Sequence, residues 1–390
     1  MNYFEFHSVG QGLFYTGSLM NGTYQFVYDC GTESKYLYIE NCINNYVKTL
    51  PYRRSIDFVV ISHLHKDHFS GLFYLLQNTN VKKIYLPYLG ENSEVIRATL
   101  ALSVFKDDDI EDDVEYKLSL YSFMCGLYGV DEGRDFIRYR ELVAYISKDE
   151  KSNEYKDVVY ATENFIISYK NKPYWQFNLI QSGTSTRKLN SLSNKLHDFF
   201  DKLGERDLIL AIQKNNNVLT DLKGIYESVF GEGNALNLTS ILLVHFPFYE
   251  NAVSACLYND VMLIEKFINY RRTKKRSYCK INKFFYNRIF NKSVVTILTG
   301  DAMVDSIISS KISSIQGERE NLILQVPHHG SKDNWLALKN SEIAAKLYII
   351  SYGYGNRHKH PSAATVDSLI KDGKEFYCVN QRDGFIYFID

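Results

Sequence analysis

The chain has 390 residues with 45 Lys and Arg against 45 Asp and Glu, a formal charge of +0, so bulk electrostatics do not make it a polyanion binder. Hydrophobic residues make up 45% and prolines number only 6, which excludes a disordered chain; the length allows one to three domains around a sizeable core. No stretch reaches the roughly 20 apolar residues that cross a bilayer, and the start Met1-Asn2-Tyr3-Phe4-Glu5-Phe6-His7 lacks a signal-peptide layout, so a soluble cytoplasmic protein without membrane contact is expected. The six cysteines are scattered without paired spacing, so a bound metal must rely on histidine and carboxylate.

In chain order, strands are predicted at residues 3–6, 12–16 and 24–28, punctuated by Gly10, Gly12, Gly17 and Gly22. A helix is expected near residues 36–47. Residues 56–62 form a mostly apolar run of the kind that strands covered on both faces require. A short helix at 71–76 and a strand at 81–86 follow. From about Gly90 the character becomes helical: Ser93 can cap a helix through Phe105, and Leu189, Leu192, Leu196, Phe199, Phe200 and Leu203 recur at helical spacing. The acidic run at 107–115 reads as a solvated loop, and a hairpin is expected around 165–180. Strand character returns at 240–246 and 294–298, then at 322–326, 347–350, 376–379 and 384–389, with a helix at about 362–371.

The strongest feature is His63-Leu64-His65-Lys66-Asp67-His68, directly after the apolar strand. On extended backbone, residues two apart face the same way, so His63 and His65 can grip one ion; as the chain turns into a helix, Asp67 and His68 swing toward a second. Four such groups within six positions are expensive to bury without an ion.

This pattern resembles the metallo-β-lactamase superfamily. Tyr28-Asp29-Cys30-Gly31, Leu298-Thr299-Gly300-Asp301 and Gln325-Val326-Pro327-His328-His329-Gly330-Ser331 carry the resemblance further, in the expected order. It implies an α+β four-layer αββα sandwich with a metal site at one edge of the sheets. Residues 1–90 would form the first half of the core and 91–235 a mainly helical insertion. The second half would be 236–390, with a basic insertion at about 247–292. Val9-Gly10-Gln11-Gly12, His328-His329-Gly330-Ser331 and His360-Pro361-Ser362 resemble one branch, the metallohydrolase domain of the DNA-uptake channel protein ComEC and its soluble relatives.

The resemblance implies two divalent metal ions, zinc or alternatively manganese. His63 and His65 would hold the first, Asp67 and His68 the second, and Asp301 would lie between them. One of His328 and His329 completes the second ion while its neighbour faces the substrate. His328 is taken as the ligand, and His329 and His360, with Asp67, as the catalytic groups. Asp29 and Asn237 stand behind the ligands. A third histidine for the first ion is open: His245 lies in the right part of the chain but better suits an ordinary buried or hydrogen-bonded role, and water could fill the place. His7 and His197 are expected to be structural.

Such ions lower the pKa of water toward neutrality and accept charge from a phosphoryl or acyl transition state. The segment Arg271, Arg272, Lys274, Lys275 and Arg276, interleaved with Tyr270, Tyr278, Phe284 and Phe285, suits a phosphodiester chain, and Ser331 is expected to touch substrate. A phosphodiesterase acting on DNA is therefore the expected function. The alternatives are hydrolysis of a small phosphoester or acyl bond, and a subunit whose protein partner docks on the helical insertion.

Overall fold

The computed structural model describes residues 2–51, 54–105, 114–146, 158–204, 207–215, 217–231, 239–248, 294–319, 321–341 and 343–389. Most of the acidic run, Asn237, and Arg271, Arg272, Lys274, Lys275 and Arg276 lie outside these residues.

The chain opens with β1 (Asn2–Phe6), β2 (Phe14–Leu19) and β3 (Tyr24–Cys30), an antiparallel meander, followed by helix α1 (Tyr36–Thr49). The predicted strand at 56–62 is broken in two, β4 (Ser55–Ile56) and β5 (Phe58–Val60). The break falls at Asp57, whose carboxylate accepts from the Gln25 amide at 2.8 Å and pairs with Lys82 at 2.6 Å. The chain then enters α2 (Lys66–Phe69) and α3 (Leu72–Asn78), the short strands β6 (Asn80–Val81) and β7 (Ile84–Tyr85), and helices α4 (Ser93–Phe105) and α5 (Val114–Tyr128). A 3-10 segment (Asp131–Leu142) leads to β8 (Val143–Ala144).

Residues 91–235 also supply two long strands, β9 (Val158–Tyr169) and β10 (Lys172–Ser185), before α6 (Thr186–Leu203), α7 (Leu208–Lys214) and α8 (Asn217–Phe230). The hairpin turns at Lys170 and Asn171, both at positive φ, as a tight turn between twisted strands requires. It is longer than the one expected at 165–180, and β10 pairs with the next strand, β11 (Ile241–Pro247). Part of the stretch expected as a helical insertion thus belongs to a sheet. Beyond it come β12 (Val294–Leu298), α9 (Ser306–Gln316), β13 (Asn321–Gln325), α10 (Lys332–Asn340), β14 (Leu347–Ser351), α11 (Ala363–Lys371), β15 (Phe376–Val379) and β16 (Phe385–Ile389).

Two seven-stranded sheets result, in the orders β16-β1-β2-β3-β5-β7-β8 and β15-β14-β13-β12-β11-β10-β9. Strand residues alternate between faces, and the two faces of each sheet join different apolar clusters. Phe4, Phe26, Tyr28 and Phe58 of the first sheet join Trp175, Phe177, Ile241 and Leu243 of the second in one apolar cluster between the sheets. The opposite face of the first sheet, through Val27, Val59 and Ile61, joins Ile39 and Ile43 of α1, Leu72 of α3 and the helices of 93–230. On the second sheet, Leu242, Val244, Ile297 and Leu324 pack on Ile308 and Ile312 of α9 and Leu338 of α10. Both sheets are covered on both faces, which explains the mostly apolar runs in β11 and β12. Among the described residues no helix is long and apolar enough to cross a membrane.

His245 lies inside the cluster between the sheets rather than at a sheet edge. The Trp175 indole N–H donates to its Nδ1 at 3.3 Å, so Nε2 carries the proton and donates to the Tyr15 hydroxyl at 2.9 Å. Tyr15 continues to Tyr387 at 2.7 Å and Tyr387 to Thr296 at 2.6 Å, satisfying every member of the chain. Burial pushes the His245 pKa from 6.5 down to about 3. Because the folded value is the lower one, the unfolded chain takes up the extra proton between these limits. The stabilisation is therefore full above pH 6.5 and disappears as pH falls toward 3, at about 1.4 kcal/mol per pH unit. Urea unfolding at pH 7 to 4 should show a steeper acid loss for the native chain than for His245→Leu; identical slopes would refute this.

Candidate metal centre

Several loops that leave strands at their carboxyl ends converge on one spot. They follow β3, β5, β12, β13 and β14, and the strand partners β3–β5 and β12–β13–β14 are each parallel, so these ends open on the same edge. The loop after β5 carries His63, His65, Asp67 and His68, that after β12 carries Asp301, and that after β13 carries His328 and His329. All are buried except His65 and His328, which are partly exposed.

Asp301 sits at the middle. Its Oδ2 lies 3.3 Å from His63 Nε2, 3.8 Å from His65 Nδ1 and 3.7 Å from His328 Nε2. Its Oδ1 lies 3.4 Å from His68 Nε2 and 4.0 Å from His329 Nε2. Asp67 reaches His329 Nε2 at 2.8 Å and His68 Nε2 at 3.7 Å. One carboxylate therefore faces two sets of nitrogens, one on each oxygen.

Neighbouring residues aim these rings. Asp29, at the end of β3 with φ 55°, receives the His68 Nδ1 proton at 2.7 Å, the Ser62 amide at 2.6 Å and the Ser62 hydroxyl at 2.7 Å. His68 thus turns Nε2 into the site. His329 Nδ1 donates to the Ser351 carbonyl at 2.7 Å with the same result. His328 and His329 both adopt left-handed backbone, φ 49° and 51°, which costs free energy and persists because surrounding bonds impose it. Asn334 supplies several: its amide donates to the Asp301 carbonyl at 3.0 Å, and its carbonyl oxygen accepts from His328 Nδ1 at 3.3 Å.

The carboxylates and His68 hold one another in their charged forms. Burial alone would raise the Asp67 and Asp301 carboxyls, yet both are held below the ordinary carboxylate range. His68 and His329 outweigh burial at Asp67, and His328, His63 and His68 do so at Asp301. Burial works against a charged His68, but Asp67, Asp29 and Asp301 together raise its pKa. Burial and the neighbouring His68 push His63 down to about 3.

The residues fit divalent ions. His68 Nε2 and Asp301 Oδ1 are buried without a hydrogen-bond partner among the described residues, although unpaired buried polar atoms are costly. The sets His63, Asp67, His68; His63, His65, Asp301; and His68, Asp301, His329 each bring their ligating atoms within 4.8 Å of one another. Neutral imidazoles with ionised carboxylates are the donor set that zinc and related ions take.

Other expected residues fall differently. Ser331 is buried, and its hydroxyl donates to Asn334 Oδ1 at 2.9 Å while capping α10. His360 lines the cleft with its ring 5.3 Å from that of His328, and its Nδ1 has no hydrogen-bond partner among the described residues. Burial and His328 push its pKa down to about 4, so it is neutral at pH 7. His7 is buried against Glu5 and Thr16, and His197 is exposed on α6. Asn334, Ser62 and Gln325, whose side-chain oxygen accepts from the Thr299 and Gly300 amides at 3.0 and 3.1 Å, were missed by sequence reasoning. Gln325 and Asn334 flank the His328-His329-Gly330-Ser331 motif and Ser62 precedes His63, which is the one available signal.

The family model of the metallo-beta-lactamase superfamily matches residues 18–130. That stretch contains Asp29 and His63 to His68 but not Asp301 or His329, which the fold adds from the second half of the chain. No curated protein matches the chain. The matched stretch is similar to a superfamily made up mostly of hydrolases that bind divalent metals, and the clustered His and Asp residues have the makeup to hold such ions.

Proposed function

We propose that the chain is a metal-dependent phosphodiesterase of the ComEC-like branch, built on a four-layer αββα frame, cytoplasmic, and acting on DNA. The observation that carries the reading is Asp301, whose two oxygens face two separate sets of ligating nitrogens. In this reading His63 and His65 hold one ion, Asp67, His68 and His329 hold the other, and Asp301 is shared. The buried position of His329 and its tether to Ser351 favour it as the ligand over His328. His328, partly exposed and lining the cleft, is then the group that meets substrate. When bound, divalent ions supply Lewis acidity and a nucleophile at neutral pH.

The chain's own residues do the rest. Asp29 and Ser351 hold the Nδ1 protons of His68 and His329, which keeps both Nε2 atoms pointed at the centre. His328 donates its Nδ1 proton to Asn334, and neutral His360 offers a hydrogen bond to a substrate oxygen rather than an acidic proton. Lys66, Lys117 and Arg357 also line the cleft, supporting an anionic substrate.

A second reading, hydrolysis of a small phosphoester, is favoured by the cleft itself. Ser103 and Val104 of α4 with Lys117 of α5 wall one side of it. The purified chain should be incubated with manganese or zinc and with plasmid, single-stranded DNA, RNA and a chromogenic phosphodiester. DNA cleavage is the expected result. Cleavage of the small ester alone would establish the second reading. No hydrolysis of any substrate would overturn both, and activity only with an added protein would point to a partner-dependent subunit.

A further inference from the structure

We propose that Ser103 of α4 and Lys117 of α5, with Lys66 of α2, form a subsite for a second phosphate of the substrate, one that is not cleaved. This inference deepens the phosphodiesterase reading and rests on it. All three residues line the cleft that also holds His65, Asp67 and Asp301, and none of the three is a metal ligand in that reading.

Ser103 is only 6% exposed, yet its hydroxyl has no hydrogen-bond partner among the described residues. A buried hydroxyl inside a helix can donate to the carbonyl four positions earlier. Thr99, one turn before on the same helix, does so, reaching the Val95 carbonyl at 2.7 Å. Ser103 instead keeps its donor beside the cleft, and a buried donor left unmet is costly until a group from outside the chain accepts from it.

Charge narrows the choice of that group. Lys66 and Lys117 line the same cleft, so the hydroxyl is accompanied by two ammonium groups. On the loops after β3 and β14, Arg357 and His358 face the Glu33 carboxylate at 3.6 and 3.2 Å. Among the described residues the other carboxylates lining the cleft are Asp67 and Asp301, which belong to the metal centre, so α4 and α5 bring donors and positive charge but no acid. A phosphate supplies several strong acceptor oxygens and up to about two negative charges, which suits a hydroxyl and two ammoniums. A DNA substrate carries such a group next to the scissile one, either as the neighbouring bridge of the strand or as a terminal monoester. Contacts to it, remote from the reacting atoms, would fix the scissile phosphate in place and set which way the strand runs.

Isothermal titration calorimetry of the full chain loaded with zinc tests this, with thymidine 3′,5′-bisphosphate compared against thymidine 3′- and 5′-monophosphate. The bisphosphate should bind about 10-fold or more tightly than either monophosphate, the worth of one hydrogen bond to a charged group. Lys117→Ala should remove most of that preference and Ser103→Ala part of it, whereas Arg357→Ala should keep it. Ser103→Ala loses no internal hydrogen bond, so its urea midpoint should equal or exceed the native one; circular dichroism checks the fold, and Lys117→Gln replaces Lys117→Ala if that variant fails to fold. Methylating the second phosphate should leave affinity unchanged if the next bridge of a strand is what binds, and weaken it about 10-fold if a terminal monoester is; both results support the subsite. Equal affinity for the three nucleotides, a preference that survives both the Lys117 and Ser103 variants, equal loss in Arg357→Ala, or a lowered urea midpoint for Ser103→Ala would overturn it. Preferential binding without hydrolysis of any phosphodiester would instead refute the hydrolase reading and leave the subsite standing, and hydrolysis without the preference would do the reverse.

Discussion

Replacing Asp301 by Ala should lower kcat/KM for a phosphodiester by at least about 1,000-fold, equivalent to about 4 kcal/mol of transition-state stabilisation. Asp301 faces both sets of nitrogens, at 3.3 Å from His63 and 3.4 Å from His68, so in the proposed two-ion reading its loss removes a ligand from both positions together. The fold should survive. Asn334 holds the loop through the Asp301 and Ala302 carbonyls, and Gln325 holds it through the Thr299 and Gly300 amides, none of which involves the carboxylate. Asp301→Asn keeps the shape and loses the charge, and the same collapse of activity is expected, with bound metal falling in both variants and the circular dichroism spectrum unchanged. Native-like rates in either variant would remove the shared-carboxylate reading.

The second large effect is expected from Gly31→Ala. A Cβ at Gly31 would lie 2.5 Å from the Asp67 carbonyl carbon and the His68 amide nitrogen, and 2.6 Å from the His68 carbonyl carbon. These are backbone atoms of the ligand turn, which has no flexible end to move aside. Gly12 presses on the same turn, since a Cβ there would stand 2.7 Å from the Asp67 carbonyl oxygen. The turn must therefore shift as a unit, taking Asp67 and His68 away from His329 and Asp301. Overpacking of this kind costs about 1–3 kcal/mol. Urea unfolding should show a destabilisation near the upper end of that range, and metal content should fall with it, because ligand geometry tolerates little displacement. A variant with native stability and full metal content would show that the contact yields without consequence.

Much of the fold was legible in the chain because strand and helix periodicity are local. The apolar runs at β11, β12 and β14 and the amphipathic helix α6 need only neighbouring residues to declare themselves. The split between β4 and β5 escaped because it depends on Asp57 meeting Gln25 and Lys82, contacts made far along the chain. The hairpin β9–β10 was under-read for a similar reason: Trp175, Phe177 and Leu179 alternate with polar partners, yet their apolar face is recruited by the cluster between the sheets.

The ligand turn shows the same division. Spacing and position after a strand group His63, His65, Asp67 and His68, since extended backbone puts residues two apart on one face and the following helix redirects the next two. Which distant groups meet them is a matter of strand order: His329 reaches Asp67 across 262 positions because β13 and β5 end on the same edge. Adjacent His328 and His329 have the same chemistry and the same local preference. They part company only through the left-handed backbone at both, the Ser351 carbonyl behind one ring and Asn334 behind the other. Residue type and short-range spacing thus announce a metal-binding chemistry. The pairing of ligands, the aim of each ring and the burial of His245 away from the centre come from long-range packing, which no local pattern encodes because its energy arises between segments that are neighbours only after folding.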